Sequence, residues 1–272
     1  MLKDRVITAA VLIPLVIAFI FFVETIWFSA LFAVVVAIGG WEWAGLSKLD
    51  DKMKYFYVTV TLLLLSAIYF LDNHLIFNSL ILLGLIYWFF AVVLVVSYQN
   101  KRNLLPKNVS ILLIIGFLLL IPMWTSLVVL KSNAEQGPML IMLLMLLIWG
   151  ADTAAYFGGK KWGKKKLANH VSPGKTWEGT ITGISASIVI ALCYVIVSNQ
   201  NLEDGLLFVG LSILTVIGSV FGDLMESIVK REAGQKDSGN ILPGHGGVMD
   251  RIDSLTAASP IYAFGLVSLG LI

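Results

Sequence analysis

Long blocks of apolar residues, separated by short polar segments, follow one another along the whole chain. The blocks lack the alternation of polar and apolar residues that is typical of transmembrane strands. A block of about 20 apolar residues can cross a bilayer as a helix, in which every backbone hydrogen bond is internal. The pattern therefore predicts an all-α, polytopic integral membrane protein with about nine transmembrane helices, at residues 6–23, 26–46, 55–71, 76–97, 109–130, 139–158, 179–198, 206–226 and 254–272.

The composition supports this class of protein. Of the 272 residues, 58% are hydrophobic and 13% are charged, whereas about 25% of the residues in a soluble domain are charged. The net charge of +2 is too small to indicate a nucleic-acid partner. The lone cysteine, Cys193, excludes an internal disulfide and a cysteine-rich metal site.

The 19 Lys and Arg residues predict the orientation in the membrane. If the N-terminus is inside, all of them except Lys131 lie in segments on the inside, as the positive-inside rule requires. We therefore expect an inside N-terminus and an outside C-terminus. The basic residues Lys3 and Arg5 precede the first apolar block. That block is longer than the core of a signal peptide, and no small-residue cleavage site follows it, so we expect it to remain as a helix.

The chain divides by chemistry rather than at a linker. Residues 1–138 contain about five predicted spans with short connections, and residues 139–272 form a C-terminal region with two long inside loops. Almost all the unusual polar residues lie in or beside those two loops. We therefore expect the catalytic chemistry in the C-terminal region.

Ionisable residues within apolar spans suggest function, because each costs about 2.5–3.5 kcal/mol to insert at a helix centre. Asp152, Asp223 and Glu226 lie near the predicted inside ends of spans six and eight. Glu42 lies near the inside end of span two, between Trp41 and Trp43. We interpret Glu42 as an interfacial residue beside anchoring tryptophans, and leave it out of the predicted site.

The segment 227–253 combines glycines, cations and carboxylates. Glycines expose backbone N–H groups to phosphate, Lys and Arg donate charge-assisted hydrogen bonds, and carboxylates next to phosphates hold Mg²⁺. A solvated loop of mixed charge is the alternative for any single residue, but it does not explain the whole set. The cations of this set are Lys230, Arg231, Lys236 and Arg251, and its carboxylates are Asp237, Asp250 and Asp253.

The other inside loop runs from Asp152 to Gly179. Asp152 and Tyr156 share a helix face, and Lys175 is a candidate phosphate contact. The lysines at 164–166 are interpreted as an anchor for anionic lipid. Glu178 would either favour a helix N-terminus or belong to the site, and the sequence does not separate these roles.

Two sequence features resemble known binding motifs but do not match them. The Gly-Lys-Thr at 174–176 is not a P-loop, because Asn169 stands where a Walker A motif needs glycine. His245 has no other histidine at a ligand spacing, so a zinc site is not expected. We interpret His245 as a residue that contacts phosphate or orders the loop.

The segment Ser227 to Asp253 resembles the signature of the phosphatidate cytidylyltransferases (CDP-diacylglycerol synthases). The matching positions include Lys236-Asp237, His245-Gly-Gly247 and Asp250-Arg-Ile-Asp253. Asp152, Tyr156 and the segment 172–179 are similar to the family's other inside loop. The resemblance in motifs covers about residues 150–253.

The resemblance implies transfer of a cytidylyl group from CTP to phosphatidate, giving CDP-diacylglycerol and pyrophosphate for phospholipid synthesis. It also implies Mg²⁺, with a second, monovalent cation as an option, membrane lipids as partners, a homodimer, and an active site on the cytoplasmic face of a bacterial inner membrane. The implied roles are metal ligation by Asp223 and Asp250, then Asp152, Glu226 and Asp253; substrate binding by Ser172, Lys175, Tyr156, Gly246 and Gly247; and catalysis by Lys230, Arg231, Lys236, Asp237, His245 and Arg251 with Asp223 and Asp250.

Three other functions remain open from the residues alone. A transporter would place its polar site near the bilayer midplane between repeats, whereas here the polar residues gather at one face and no repeat is visible. A lipid-binding scaffold would need only the lysines. Another CTP-using membrane enzyme, such as a CDP-archaeol synthase or a polyprenol kinase, would share the polar site and differ in the lipid that it accepts.

Overall fold

The computed structural model describes residues 14–100, 105–241 and 246–271. Within them the chain forms nine helices and one pair of short strands. The helices are α1 (14–22), α2 (Thr25–Leu46), α3 (Asp51–Leu71), α4 (His74–Gln99), α5 (Val109–Ser132), α6 (Gly137–Trp162), α7 (Trp177–Val197), α8 (Leu202–Glu232) and α9 (Met249–Ser268); the strands are β1 (Lys166–Ala168) and β2 (Ser172–Thr176).

Seven of these helices, α2 to α8, are long and apolar enough to cross a membrane. Large apolar side chains cover much of the outer surface; Phe22 and Phe70, for example, are 84% and 80% exposed. Such a surface suits lipid rather than water, because hydrocarbon imposes no penalty on exposed apolar groups. The prediction of a multi-pass membrane protein is confirmed, while the count of nine spans and the orientation stay predictions.

The first predicted span can be compared only in part, and the last helix begins earlier than predicted. Only part of the predicted first span is described, as α1, and Lys3 and Arg5 lie outside the described residues. The last helix, α9, begins at Met249 rather than near residue 254. Asp250 and Asp253 therefore belong to the first turns of a helix and not to a loop.

The predicted all-helical fold needs one addition, an antiparallel hairpin of β1 and β2 in the loop between α6 and α7. Lys166 pairs with Thr176 and Ala168 pairs with Ser172. Ala168 and Val171 are fully buried, so the hairpin packs against the rest of the protein instead of lying free in solvent. It carries Lys175 towards the ends of α6 and α8.

Helix α5 lies at the centre of the bundle. Two-thirds (67%) of its apolar window is buried, against 17% for α3 and α7. Indole N–H groups connect neighbouring helices: Trp43 donates to the carbonyl of Leu112 at 2.7 Å, and Trp88 donates to that of Thr256 at 2.9 Å. Because α9 packs against α2, α4 and α5 as well as α8, helices from both parts of the chain share one core.

Candidate active site

Acidic residues from three helices meet at one end of the bundle, the end predicted to lie inside. Helix α8 presents Asp223 and Glu226 one turn apart. Helix α9 approaches closely at this level, because a Cβ atom on Gly222 would collide with the backbone of Asp253. Asp253 is buried there, within electrostatic range of both Asp223 and Glu226. The predicted gathering of these acids therefore occurs, and close helix packing produces it.

Lys230 is the cation at the centre of this cluster. Its Nζ atom lies 2.8 Å from Glu226 Oε2, one helical turn away, and 2.5 Å from Asp250 Oδ1 on α9. The exposed fractions of the three side chains are 9%, 1% and 9% in that order. A buried carboxylate is costly unless it is paired and hydrogen-bonded, so Lys230 stabilises two acids at once.

A second ion pair forms the more accessible part of the site. Lys175 Nζ lies 2.7 Å from Asp223 Oδ2, and the two side chains are 25% and 32% exposed. Ser227 Oγ donates to Asp223 Oδ1 at 3.1 Å. Asp152, on α6, lies within electrostatic range of both Lys175 and Asp223. The hairpin, α6 and α8 thus bring one cation and two carboxylates to the edge of the bundle.

Asp250 orders the glycine-rich loop that leads into α9. Its Oδ2 atom accepts hydrogen bonds from the Gly247 N–H at 2.8 Å, the Ser238 N–H at 2.9 Å and the Ser238 hydroxyl at 3.0 Å. Burial alone would raise the pKa of this carboxyl group, but the hydrogen bonds from Lys230 and from the backbone hold it below its usual value. Asp250 is therefore an ionised acceptor that fixes Ser238 and Gly247.

The donor set suits a hard divalent cation, although it does not form a closed cage. Within 14–100, 105–241 and 246–271, no three acidic, His or Cys side chains converge as metal ligands. Mg²⁺ commonly uses one or two carboxylates and takes its other ligands from water and substrate phosphates. Glu226 Oε1 is buried without a hydrogen-bond partner among the described residues, and Asp223 is half-buried beside it. These two carboxylates fit such an ion.

Other predicted site residues make contacts outside the acidic cluster or lie further out. The guanidinium group of Arg231, predicted to bind phosphate, donates to the carbonyl of Val171 at 3.3 Å and to that of Gln235 at 3.1 Å. It thereby connects the hairpin to the loop after α8. Tyr156 is 64% exposed, with its ring against Phe157.

The remaining predicted residues lie around the glycine-rich loop and the hairpin. Lys236 and Asp237 are exposed on the loop, and Arg251 is exposed in the first turn of α9. Gly246 has a φ of +82°, which glycine adopts without strain, and Asp250 Oδ2 leaves little room for a side chain there. Ser172 begins β2. His245 lies outside the described residues.

The structure also shows the contacts of Glu178, for which the sequence left two roles open, and of Glu42. Glu178 accepts hydrogen bonds from the backbone N–H groups of Lys164 and Lys165, at 3.0 and 3.2 Å, so it orders the start of the hairpin. Glu42, which we left out of the predicted site, is buried and accepts hydrogen bonds from Ser238, Val248 and Met249. The signal for Glu42 was present, since it is an acid within an apolar span, but its flanking tryptophans favoured an interfacial role.

Lys230→Met would leave the carboxylates of Glu226 and Asp250 buried without their cation. We expect the free energy of unfolding to fall by about 3–5 kcal/mol, as when one partner of a buried ion pair is removed. Thermal unfolding in detergent measures this. Lys54→Met is the matched control, because Lys54 pairs with the exposed Asp51 and such pairs contribute about 0–1 kcal/mol. Equal effects of the two substitutions would contradict the role of Lys230.

Comparison with known proteins identifies the family. A family model described as the cytidylyltransferase family matches residues 3–269. The chain is 42% identical over 280 residues to a phosphatidate cytidylyltransferase of Pseudomonas aeruginosa, covering 99% of this chain and 98% of that protein. It is 38% identical over 282 residues to a protein of the same name from Haemophilus influenzae, covering 97% and 98% of the two chains. The chain therefore belongs to the cytidylyltransferase family.

Proposed function

We propose that this protein is a CTP:phosphatidate cytidylyltransferase. A phosphate oxygen of phosphatidate bonds to the α-phosphorus of CTP while the bond from that phosphorus to the β-phosphate oxygen breaks, giving CDP-diacylglycerol and pyrophosphate. The observation that carries this proposal is the cluster of acids with Lys175 and Lys230 at one end of an apolar helix bundle. The names of the relatives support cytidine nucleotide and phosphatidate as the substrates.

The chemistry requires alignment of two polyanions rather than a strong base. The attacking phosphate is already an oxyanion near pH 7, because the second pKa of a phosphate monoester is about 6. Reaction then depends on cations that hold lipid phosphate and nucleotide phosphates together against their repulsion. In this proposal Lys175, which is partly accessible, binds a phosphate, and Lys230 holds the buried acids behind it.

Mg²⁺ is the cofactor in this proposal. Asp223 and Glu226 would hold it, with Asp152, Asp250 and Asp253 contributing negative charge around them. When bound, Mg²⁺ neutralises the charge that develops on the leaving pyrophosphate. Asp250 is left out of the proposed ligands because its Oδ1 atom pairs with Lys230 and its Oδ2 atom accepts hydrogen bonds from the backbone N–H groups of Ser238 and Gly247.

The surroundings of Lys175 suit a site at the depth of lipid headgroups. Trp162 and Trp177 are 54% and 52% exposed beside the hairpin, and tryptophan concentrates at the membrane–water interface. Five exposed lysines lie on the same end of the bundle and can attract anionic lipid: Lys160, Lys161, Lys164, Lys165 and Lys166. We propose that this end faces the cytoplasm at the inner membrane of a bacterium, where CTP and phosphatidate meet.

The reaction is tested with purified protein in nanodiscs, phosphatidate, Mg²⁺ and CTP labelled at the α-phosphate. We expect labelled CDP-diacylglycerol and release of pyrophosphate, and expect EDTA to abolish both. Asp223→Asn should lower kcat by about 10²–10³-fold, the range for losing one group that stabilises transition-state charge. Glu203→Gln, at the other end of α8, should leave kcat unchanged.

The outcomes separate the competing functions. If product forms with another lipid phosphate or a lipid alcohol but not with phosphatidate, the proposed acceptor is wrong and the proposed nucleotide site stands. No CTP-dependent product with any lipid would overturn the proposed function. Activity that persists in EDTA would overturn the role of Mg²⁺.

The proposed orientation predicts which loops an impermeant thiol reagent can reach. In a Cys193→Ser background, Glu135→Cys should react in intact cells, because the connection between α5 and α6 is proposed to lie outside. Lys165→Cys, in the hairpin loop, should react only after the cells are permeabilised. The opposite pattern of labelling would place the site on the outer face.

A further inference from the structure

Glu42 is a buried carboxylate whose hydrogen bonds reach across the bundle. It lies at the end of α2 with 4% of its surface exposed. Its Oε1 atom accepts from the Val248 N–H at 3.0 Å, and its Oε2 atom accepts from the Met249 N–H at 2.7 Å and from the Ser238 hydroxyl at 2.9 Å. Three donors from the C-terminal part of the chain therefore converge on one side chain of the N-terminal part.

Two of these hydrogen bonds cap helix α9. The first N–H groups of a helix have no partner within it, and α9 has no side-chain cap of its own at Val248. Glu42 provides the cap from α2, and its negative charge is favourable at the positive end of the helix dipole. The direction of the first turn of α9 thus depends on a residue more than 200 positions earlier in the chain.

The third hydrogen bond connects Glu42 to Asp250. Ser238 Oγ lies 2.9 Å from Glu42 Oε2 and 3.0 Å from Asp250 Oδ2, so the two carboxylates share one hydroxyl group. A hydroxyl group has a single hydrogen and donates to only one of them at a time. Gly247 lies between them, where a Cβ atom would collide with Glu42 and Ser238. The loop is therefore held between Glu42 on one side and Asp250 on the other.

We propose that Glu42 is a positioning residue for the active site. By capping α9 and holding Ser238, it fixes the Asp250 carboxylate, which in turn holds Lys230 against Glu226. Glu42 itself forms none of the ion pairs of the site. The inference rests on the proposed function for the reaction that this geometry serves.

Glu42→Gln tests the role with almost no change in size. An amide has one acceptor oxygen, so its NH₂ group would face either the Val248 N–H or the donors at Oε2. We expect amide exchange at Val248 and Met249 to become faster in hydrogen–deuterium exchange. We also expect kcat to fall by about 10–100-fold, as when a group that orients a ligand is lost, with KM for phosphatidate unchanged.

Matched variants separate positioning from a loss of folding. Asp50→Ala removes the cap of α3 in the neighbouring connection and should alter neither kcat nor exchange in α9. Ser238→Ala removes only the shared hydroxyl group and should lower kcat less than Glu42→Gln. In the double variant, kcat should fall by a smaller factor than the product of the two single-variant factors, because both residues act through Asp250. If Glu42→Gln does not fold, Ser238→Ala provides the test instead. The positioning role then predicts a lower kcat and faster amide exchange near Gly247 in that variant.

The results distinguish this inference from the proposed function. Faster exchange in α9 with an unchanged kcat would overturn the positioning role, and so would a loss of kcat that matches the unfolded fraction. A wild-type protein that makes no CDP-diacylglycerol would overturn the proposed function and the catalytic part of this inference. In that case, exchange at Val248 and Met249 would still decide whether Glu42 caps α9.

Discussion

Lys230 joins Glu226 on α8 to Asp250 on α9, and the arrangement of the site depends on this cation. Two buried carboxylates would repel each other, and each would be costly without a partner. Close packing at Gly222 brings the helices together at the level of the acids, so that a single ammonium group reaches both. The contact that stabilises the helix pair is therefore also the one that assembles negative charge at the end of the bundle.

The site has a buried part and an accessible part, which differ in how freely their ion pairs can rearrange. Lys230 and its acids are almost fully removed from solvent, whereas Lys175 and Asp223 are a quarter to a third exposed. The buried pairs give a fixed geometry at the back of the site. The accessible pair can exchange its partner for another ion more readily than the buried pairs, because water that reaches both side chains weakens their attraction.

The helices were predictable because lipid allows few alternatives for the backbone. The predicted span 109–130 corresponds to α5, Val109–Ser132, whereas α8 extends beyond the predicted span 206–226 at both ends and α9 begins before residue 254. Asp223 and Glu226 of α8 stood out in the sequence because a carboxylate in an apolar span has few purely structural roles, whereas Asp250 and Asp253 stood out through the glycine-rich segment that precedes α9. Close packing at Gly222, which brings them together, was not visible in the sequence.

Three features depend on tertiary contacts that the sequence pattern does not show. The hairpin strands have three and five residues with no alternating pattern, and they are held by the packing of Ala168 and Val171. Arg231 donates to two backbone carbonyls that lie far apart in the sequence, and its predicted role in binding phosphate stays a prediction. Glu42 carried the same signal as Asp223, and only the packing of α2 against α9 shows which donors it meets.

The most direct measurement is the position of Mn²⁺, substituted for Mg²⁺, located by its anomalous diffraction in crystals grown with CTP. The account predicts one Mn²⁺ ion at coordination distance from Asp223 and Glu226 and in contact with the CTP phosphates. It further predicts that Lys175 no longer pairs with Asp223 and binds a CTP phosphate. An ion bound away from both carboxylates, with Lys175 still paired to Asp223, would contradict the account.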